Sequence, residues 1–258
     1  MLVWISSASL WRRELVRFYR QRSRVLGVIA SPLVFWLVIG SGFGTSFRPE
    51  SDHRISYLQY FFPGTLAMIL LFTSVFCMMS VIEDRNEGFL QSVLISPVPR
   101  VSIVLGKVLG GTTIAAFQAA LLLPLAPLVG FSLDGGRVVL LLAVLLLVAF
   151  GLTSLGFFFA WRMNSIQGFH AVMNVFLIPM WLLSGALFPR AGAAPWVAWV
   201  MKANPLSYGL ALLHHVLSAN PSTFSSDEPR VTTALTVSVL FSATMFLLGL
   251  LLVGRRSG

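Results

Sequence analysis

Charged residues and cysteine are both scarce in this chain of 258 residues. Asp, Glu, Lys and Arg make up only 10% of it, whereas a soluble domain carries about one quarter. The single cysteine, Cys77, excludes an intrachain disulfide and a metal cluster held by thiolates. Because 57% of the residues are apolar and the mean hydropathy is +0.85, the composition excludes a water-soluble globule.

The apolar residues occur in blocks of about twenty, the length at which a helix crosses a hydrocarbon core of about 30 Å. The sequence therefore predicts an all-α polytopic membrane protein. The third block is too long for one straight crossing, and Pro124 and Pro127 near its far end predict a kink or break there. Six transmembrane helices are predicted, at approximately Val25 to Phe43, Leu58 to Ile82, Ile103 to Phe131, Val138 to Trp161, Phe169 to Phe188 and Thr232 to Val253.

Charges lie almost entirely outside the predicted spans, and the two sides of the membrane carry them unequally. One side has 12 basic and four acidic residues, and the other has six basic and five acidic residues. By the positive-inside rule the first side is cytoplasmic. The sequence thus predicts a multi-pass protein of the plasma or inner membrane with both termini in the cytoplasm. This topology accounts for the excess of basic residues, so no nucleic-acid partner is expected.

The residues before the first span have the pattern of an amphipathic helix. Trp4, Ala8, Trp11, Leu15 and Phe18 are spaced by three or four, while most of the arginines lie elsewhere. This pattern predicts a helix in the cytoplasmic membrane interface, and a solvated basic tail is the alternative. The predicted domains are an interfacial helix at residues 1–24 and a domain of six transmembrane helices at residues 25–258.

The predicted span cores contain no ionisable residue, although such residues mark proton relays, ion paths and active sites within membranes. Gly106-Lys107 lacks the upstream glycine of a P-loop, so the chain cannot bind ATP by that device. The four histidines have no helical spacing that suits a metal. We therefore expect no catalytic residue, no cofactor and no bound metal, and we do not expect an enzyme.

Neutral polar groups remain within the predicted spans. Such groups usually form hydrogen bonds between helices, and the alternative is that they contact a substrate. The candidates for a substrate pathway are Thr73, Ser74, Met78, Gln118 and Asn174.

A polar cytoplasmic segment joins the second and third spans, beginning at Glu83 and ending at Arg100. It has three acidic residues within five positions, followed by apolar residues at helical spacing. An apolar face of this kind would be covered by the membrane interface or by a partner protein. We predict a short cytoplasmic helix from Glu83 to Leu94, with Phe89 and Leu90 as its apolar anchors.

An apolar external segment precedes the sixth span, but proline and glycine interrupt it and it is too short for two further crossings. We expect external re-entrant or interfacial helices there. Trp196, Trp199 and Tyr208 suit the level of the lipid headgroups.

The cytoplasmic and external segments resemble those of the ABC-2 family of ATP-binding-cassette transporter permeases, most closely the daunorubicin-resistance type of drug-export permease. The similarity covers nearly the whole chain. This family commonly has an acidic-basic-x-Glu-Gly run, then a Thr/Ser-Pro-x-x-Arg and a Gly-Lys. The matching segments are YLQYFFPG at 57–64, EDRNEG at 83–88, SPVPR at 96–100 and LGK at 105–107, and externally Ser184-Gly185, Phe188-Pro189 and Asn204 to Tyr208.

This resemblance implies two permease subunits, as a homodimer or with a closely related permease, and two copies of a separate ABC-type ATPase subunit. It implies that the cytoplasmic segment couples the permease to that ATPase, through Glu83, Asp84, Arg85, Glu87, Gly88, Phe89 and Leu90. The external gate candidates are Phe188, Pro189, Asn204, Pro205 and Tyr208. One departure follows Tyr208: related sequences often carry an acidic residue three positions later and an arginine six positions later, where this chain has Ala211 and His214.

The resemblance favours the permease subunit of an ATP-driven exporter, surrounded by membrane lipids. A stand-alone channel or secondary carrier and a membrane-embedded enzyme are the alternatives. A carrier should have ionisable residues at the midplane and an enzyme should have a catalytic constellation, and the sequence has neither. Because the spans offer hydroxyls, amides, methionines and aromatic rings, we expect an amphipathic or lipophilic cargo. A polysaccharide or lipid-linked glycan is the alternative cargo.

Overall fold

The computed structural model describes residues 2–20, 22–42, 56–96, 98–218 and 228–255. Within these ranges the regular structure is helical and contains no strand. The α-helices in chain order are α1 (Leu2–Arg20), α2 (Arg22–Gly42), α3 (Tyr57–Cys77), α4 (Met79–Asn86), α5 (Phe89–Ile95), α6 (Arg100–Ala120), α7 (Gly135–Arg162), α8 (Ile166–Trp181), α9 (Pro195–Ala203), α10 (Pro205–Leu217) and α11 (Val231–Arg255).

Five stretches of helix in the described residues are long and apolar enough to cross a membrane, and they correspond to the second to sixth predicted spans. The first predicted span falls on α2. The apolar helix found within α2, Pro32–Gly42, is shorter than a crossing, and Phe43 lies outside the described residues. A sixth span therefore stays a prediction. The five stretches are Tyr57–Asn86, Arg100–Val129, Gly135–Arg162, Ile166–Ala186 and Val231–Gly254.

The predicted break in the third span is confirmed. α6 ends at Ala120, and the chain continues as a 3₁₀ turn over Leu123–Val129 that contains Pro124 and Pro127. Proline has no amide hydrogen with which to continue the α-helical hydrogen bonds. The long apolar block therefore becomes a regular helix with a tightened end.

α3 is the central helix of the bundle. In its membrane-spanning stretch 83% of the most apolar window is buried, and it packs against α2, α6, α7, α8 and α10. The corresponding buried shares for α8 and α11 are only 28% and 22%. These two helices therefore present broad apolar faces that the rest of the described chain does not cover, including Val175 and Phe176 on α8 and Leu240 and Leu251 on α11.

The apolar segment before the last span forms short helices in place of further crossings. α8 contains Pro179, and the chain continues as a kinked segment over Leu182–Ala186, in which Leu183 and Gly185 have non-helical backbone angles and Gly185 has a φ of 99°. α9 then leaves Trp196 and Trp199 exposed, whereas α10 is largely buried against α3, α7 and α11.

α1 forms a helix where one was predicted, and the face that it turns towards the rest of the chain overlaps the predicted apolar stripe only in part, at Phe18. Trp4 and Ala8 belong to the predicted apolar stripe and are exposed. Trp11 and Leu15 are only partly buried. The buried residues are Ser7, Leu10, Glu14 and Phe18. Glu14 lies on the inward face because it pairs with the buried Lys107 of α6.

Candidate functional site

α1 lies directly along α6 because two glycines of α6 leave room for it. A Cβ atom on Gly106 would come within 2.5 Å of the Leu10 Cβ atom, and one on Gly110 within 2.7 Å of the Glu14 Cβ atom. Residues four apart lie on the same face of a helix, so the two glycines form one shallow track. The track brings the backbone of α1 close enough for its acidic side chain to reach the interior.

A lysine without access to water lies between these helices. Lys107 is 1% exposed, and its Nζ atom donates a hydrogen bond to Glu14 Oε1 over 2.6 Å and one to Ser80 Oγ over 3.1 Å. It also contacts the Asp84 carboxylate. Removing a charge from water costs several kcal/mol unless it is paired and hydrogen-bonded. The lysine therefore depends on carboxylates supplied by α1 and α4.

Asp84 is the centre of this cluster and has no exposed surface. It accepts two hydrogen bonds from the Arg13 guanidinium, each over 2.7 Å, and one from Arg17 over 2.8 Å. Arg17 also forms an ion pair with Glu83 at 2.7 Å. The neighbouring Asp84 carboxylate raises the pKa of Arg13 above its ordinary value, so this guanidinium stays charged at physiological pH. We call these six residues the ion network: Arg13, Glu14, Arg17, Glu83, Asp84 and Lys107.

α4 and α5 are two helices, whereas the sequence predicted a single one. Between them Gly88 has a φ of 77°, a left-handed conformation that glycine adopts at little cost. Beyond this turn Leu90 is 4% exposed and packs into the apolar core. The Arg13 guanidinium lies 3.6 Å from the centroid of the Phe89 ring. The inference that nothing inside the chain covers this apolar face is therefore wrong for Leu90 and, in part, for Phe89.

The other side of α5 remains open. Gln91 and Ser92 are exposed, and so is Glu87 before the turn, whose carboxylate lies 3.7 Å from the Arg17 guanidinium. Leu94 is 41% exposed and Ile95 is 86% exposed. α5 thus presents apolar side chains outward while Leu90 holds it to the bundle from behind.

Arg85 connects α4 to the turn between α7 and α8. Its guanidinium donates hydrogen bonds to the carbonyl oxygens of Trp161 and Met163, over 2.7 and 2.9 Å. A third bond reaches Asn164 Oδ1 over 3.0 Å. Planar, multidentate contacts of this kind hold the arginine in a defined position. A displacement of α4 would therefore act on α7 and α8 as well as on α1.

Several helix ends meet on this side of the molecule. Arg85 joins the end of α4 to the end of α7, and Arg100 at the start of α6 donates to the Gly254 carbonyl oxygen near the end of α11 over 3.0 Å. The ion network lies at the same end. We call it the charged end; Pro97, in the connection between α5 and α6, lies outside the described residues.

At the opposite end, Asn204 fastens the interrupted end of α8. Its Nδ2 atom donates to the carbonyl oxygens of Met180 and Leu183, over 2.6 and 3.0 Å. Its Oδ1 atom accepts a hydrogen bond from the Leu206 amide over 3.0 Å and so caps α10. A helix that ends in irregular backbone leaves carbonyl groups unpaired, and one buried amide side chain here satisfies two of them.

The aromatic entry to α3 contacts the same interrupted segment. Tyr60 donates its hydroxyl hydrogen to the Gly185 carbonyl oxygen over 3.0 Å, and Tyr57 donates to the Leu187 carbonyl oxygen over 3.1 Å. Trp181 Nε1 donates to the Gly64 carbonyl oxygen over 2.9 Å. The two sequence segments that carry the family resemblance at this end are therefore in direct contact.

The other external candidates lie around this segment. Phe188 is partly buried, and Pro189 lines a small cavity with Tyr60 and His214. Pro205 is the first residue of α10, and Tyr208 donates to the Lys202 carbonyl oxygen over 2.8 Å. His214 contacts the Glu228 carboxylate, which lies 14 residues later in the chain. Spacing within α10 could not have indicated that acidic partner.

The pathway candidates divide into two groups. Thr73 donates to Gln118 Oε1 over 2.7 Å and Ser74 to the Ala149 carbonyl oxygen over 3.4 Å, and Met78 is fully buried. These four side chains pack α3 against α6 and α7. Asn174 alone is exposed, on the open face of α8.

Sequence reasoning missed the inward role of Glu14 and Lys107, which it counted among the charges of the cytoplasmic side. One signal was available. Gly106 and Gly110 have the spacing of two small residues that allow close helix packing in membranes, and Lys107 follows the first of them. A helix packed on such a track brings any neighbouring lysine into an interface where it needs an acid.

Five membrane-length helices in the described residues, with short helices at both of their ends, define the chain as a polytopic membrane protein. The family model "ABC-2 type transporter" matches residues 7–217, and the chain belongs to this family. It is similar to "Inner membrane transport permease YadH" of Escherichia coli (strain K12), at 28% identity over 264 residues that cover 100% of this chain and 98% of YadH.

Two further relatives have lower identity. "Daunorubicin resistance ABC transporter permease protein DrrB1" of Streptomyces coeruleorubidus is 23% identical over 201 residues, which cover 77% of this chain and 70% of DrrB1. "Putative transport permease ycf38" of Cyanophora paradoxa is 23% identical over 248 residues, which cover 93% of this chain and 86% of that protein. The resemblance found in the sequence is therefore confirmed: the chain is a multi-pass membrane permease of the ABC-2 family.

Proposed function

We propose that this chain is the permease subunit of an ATP-driven exporter and that a separate ABC-type ATPase, in two copies, docks at the charged end. The observation that carries the proposal is α5, a short helix whose Leu94 and Ile95 side chains are exposed although Leu90 anchors it from behind. The sequence has no P-loop, so ATP hydrolysis must come from a partner. Family membership supports an ABC ATPase as that partner.

The contacts of the charged end support a mechanical role for α4 and α5. Asp84 ties α4 to α1, Arg85 ties it to the α7–α8 turn, and Arg13 lies over Phe89 at the start of α5. A force applied to the exposed side of α5 would therefore reach α1, α6, α7 and α8 together. In this proposal Glu83, Asp84, Arg85, Gly88, Phe89 and Leu90 position the coupling segment, and Glu87, Leu94 and Ile95 meet the ATPase.

The proposed topology places the charged end and both termini in the cytoplasm. α2 then forms the first of six spans, in addition to the five membrane-length stretches. The exposed Trp4 and Ile5 of α1 would then lie in the cytoplasmic membrane interface, and the exposed Trp196 and Trp199 of α9 in the external one. The charge distribution supports this orientation, because the residues of the ion network and Arg85 all belong to the more basic side.

We propose that two permease copies, identical or closely related, enclose the pathway. Thr73, Ser74, Met78 and Gln118 are buried in helix packing inside one copy, which supports a structural role for them. Asn174 lies on an apolar face of α8 beside Val175 and Ile178. A route between two copies would use such open faces, with Pro189 and Asn204 at its external end.

The proposed cargo is amphipathic or lipophilic. An ion crossing at low dielectric needs a fixed opposite charge, whereas the open faces of α8 and α11 consist of apolar and neutral polar residues. The relative DrrB1 carries daunorubicin resistance in its name, which also supports a flexible, largely apolar cargo. A polysaccharide or lipid-linked glycan is the second candidate, because exposed aromatic residues can also guide sugars.

The function is tested by reconstituting the chain with its ATPase in vesicles. We expect hydrophobic amphiphiles to stimulate ATP hydrolysis, and inorganic ions and polar oligosaccharides to leave it unchanged. Stimulation by oligosaccharides alone would replace the cargo proposal with the glycan one, and stimulation by ions alone would contradict both. Cargo movement by a single permease copy, or movement that needs no ATPase, would contradict the proposed assembly.

A further inference from the structure

An apolar groove lies at the end opposite the charged end, between α7, α8, α9, α10 and α11. Its volume is about 340 Å³, within the range of about 300–1,000 Å³ typical of small-molecule sites. Val175, Phe176 and Pro179 of α8 form one wall, Val200 and Ala203 of α9 form another, and Phe241 of α11 closes a third side. The groove therefore opens on the two helices whose apolar faces are least covered by the chain.

The amide side chain that lines the groove already has hydrogen-bond partners for both its nitrogen and its oxygen. Asn204 donates to the carbonyl oxygens of Met180 and Leu183 and accepts from the Leu206 amide. A polar occupant would lose its hydrogen bonds to water and would find few here, at a cost of several kcal/mol for an unpaired group. The groove is thus suited to an alkyl chain.

α9 supplies an amphipathic rim above the groove. Trp196, Val200 and Ala203 are spaced by four and three residues and therefore share one face of the helix. Val200 and Ala203 line the groove, while Trp196 lies one helical turn before Val200 and is 69% exposed. Trp199 and Lys202 are exposed on the adjacent face. Tryptophan favours the headgroup level of a bilayer, and a lysine there complements a lipid phosphate.

We propose that the groove is a binding site for a bilayer phospholipid, with one acyl chain in the groove and the phosphate beside α9. The outer leaflet as the source of the lipid rests on the orientation proposed above, whereas the site itself does not. Surrounding lipid contacts every exposed face of a membrane protein, but a concave site with a cationic, aromatic rim retains one molecule preferentially.

The test uses the full chain in vesicles of phosphatidylethanolamine and phosphatidylglycerol that contain a phospholipid with a diazirine in its acyl chain. After illumination, the adducts are mapped by mass spectrometry. We expect them to be concentrated on the groove residues of α8 and α9. Ala203→Phe, which fills the groove, should reduce adducts there by about tenfold, the loss expected when contacts equal to about two methylene groups disappear.

The matched control is Ala171→Phe, an equally small change at an exposed position of α8 outside the groove. Val200→Trp fills the groove independently if Ala203→Phe fails to fold. Adducts spread evenly over the exposed helices, or equal adducts in Ala203→Phe and Ala171→Phe, would overturn the site. Protection of the groove by a second copy of the chain would also overturn the lipid site, and it would instead assign this face of α8 to the proposed pair of permeases. Because the assay contains no ATPase, its outcome is independent of the exporter proposal.

Discussion

Lys107 of α6 donates a hydrogen bond over 2.6 Å to Glu14 of α1, although 93 positions separate the two residues and neither has appreciable contact with water. The pair is held by close backbone packing at Gly110 and by a second carboxylate, Asp84, on α4. Three helices at the charged end therefore depend on one buried ammonium group. At the opposite end of the bundle, Asn204 joins the end of α8 to α10 in a comparable way.

Replacing the buried ammonium should destabilise the fold strongly. Lys107→Met keeps most of the side-chain volume but removes the hydrogen-bonded cation of the buried Glu14 carboxylate, which keeps only the Arg13 guanidinium at 3.8 Å. Breaking a buried pair from one side typically costs about 3–5 kcal/mol. The measurement is the thermal unfolding of the detergent-solubilised protein, compared with the exposed-site control Lys202→Met. Equal midpoints for the two variants would show that the ion network contributes nothing to stability.

A methyl group on the α6 track should loosen α1. Gly106→Ala places a Cβ atom 2.5 Å from the Leu10 Cβ atom, which belongs to a helix and cannot move alone. Overpacking of this kind costs about 1–3 kcal/mol, even though alanine favours helices more than glycine does. We expect faster amide hydrogen exchange throughout α1. The control is Gly254→Ala, where a Cβ atom meets nothing within 4 Å, and identical exchange in both variants would refute the track.

Removing the Asn204 side chain should unfasten the interrupted end of α8. Asn204→Ala deprives the Met180 and Leu183 carbonyl oxygens of their donor and removes the cap of α10. Losing a cap and buried hydrogen bonds should lower the unfolding free energy by about 2 kcal/mol. Asn174→Ala, at an exposed position of α8, is the matched control and should be neutral. An unchanged unfolding free energy for Asn204→Ala would mean that the hydrogen bonds of this side chain do not stabilise the fold.

Arg85 should matter for coupling more than for docking. Arg85→Ala breaks three hydrogen bonds between α4 and the α7–α8 turn but leaves the outer side of α5 unchanged. We expect the ATPase to bind normally while cargo-stimulated hydrolysis falls by about tenfold, a typical size for a coupling effect. Arg12→Ala, at an exposed position of α1, controls for loss of charge. Loss of docking together with stimulation would contradict a purely transmitting role.

The sequence sufficed for features that depend on local composition. Hydropathy located the five described membrane-length helices, and the prolines at 124 and 127 located the break after α6. Proline and glycine also marked the segment around Gly185 that interrupts α8. Each of these features follows from the length of an apolar run or from the backbone of a single residue, which a linear reading can detect.

Features that depend on distant partners could not be predicted in this way. The buried face of α1 contains Glu14, and hydrophobic periodicity assigns a lone acid to the surface unless its cation is known. Asp84 was expected among the residues that couple the segment to the ATPase, but Arg13, Arg17 and Lys107 surround it inside the chain. Likewise, the left-handed turn at Gly88 directs Leu90 inward and Ile95 outward. Leu90, which was expected to be an outward anchor, therefore packs inside the chain, and Ile95 is the exposed apolar residue.

If the exposed side of α5 binds the ATPase as proposed, the affinity between permease and ATPase depends directly on the outward side chains of this helix. Ile95→Ser changes the most exposed apolar residue of that helix. The control is Leu128→Ser, because Leu128 follows α6, lies away from α5 and is 79% exposed. With the permease held in nanodiscs, we expect Ile95→Ser to raise the Kd for the ATPase at least about tenfold, because interface anchors typically contribute about 2 kcal/mol or more. Leu128→Ser should leave the Kd unchanged. An unchanged Kd for Ile95→Ser in a correctly folded protein would contradict the assignment of α5 as the contact surface.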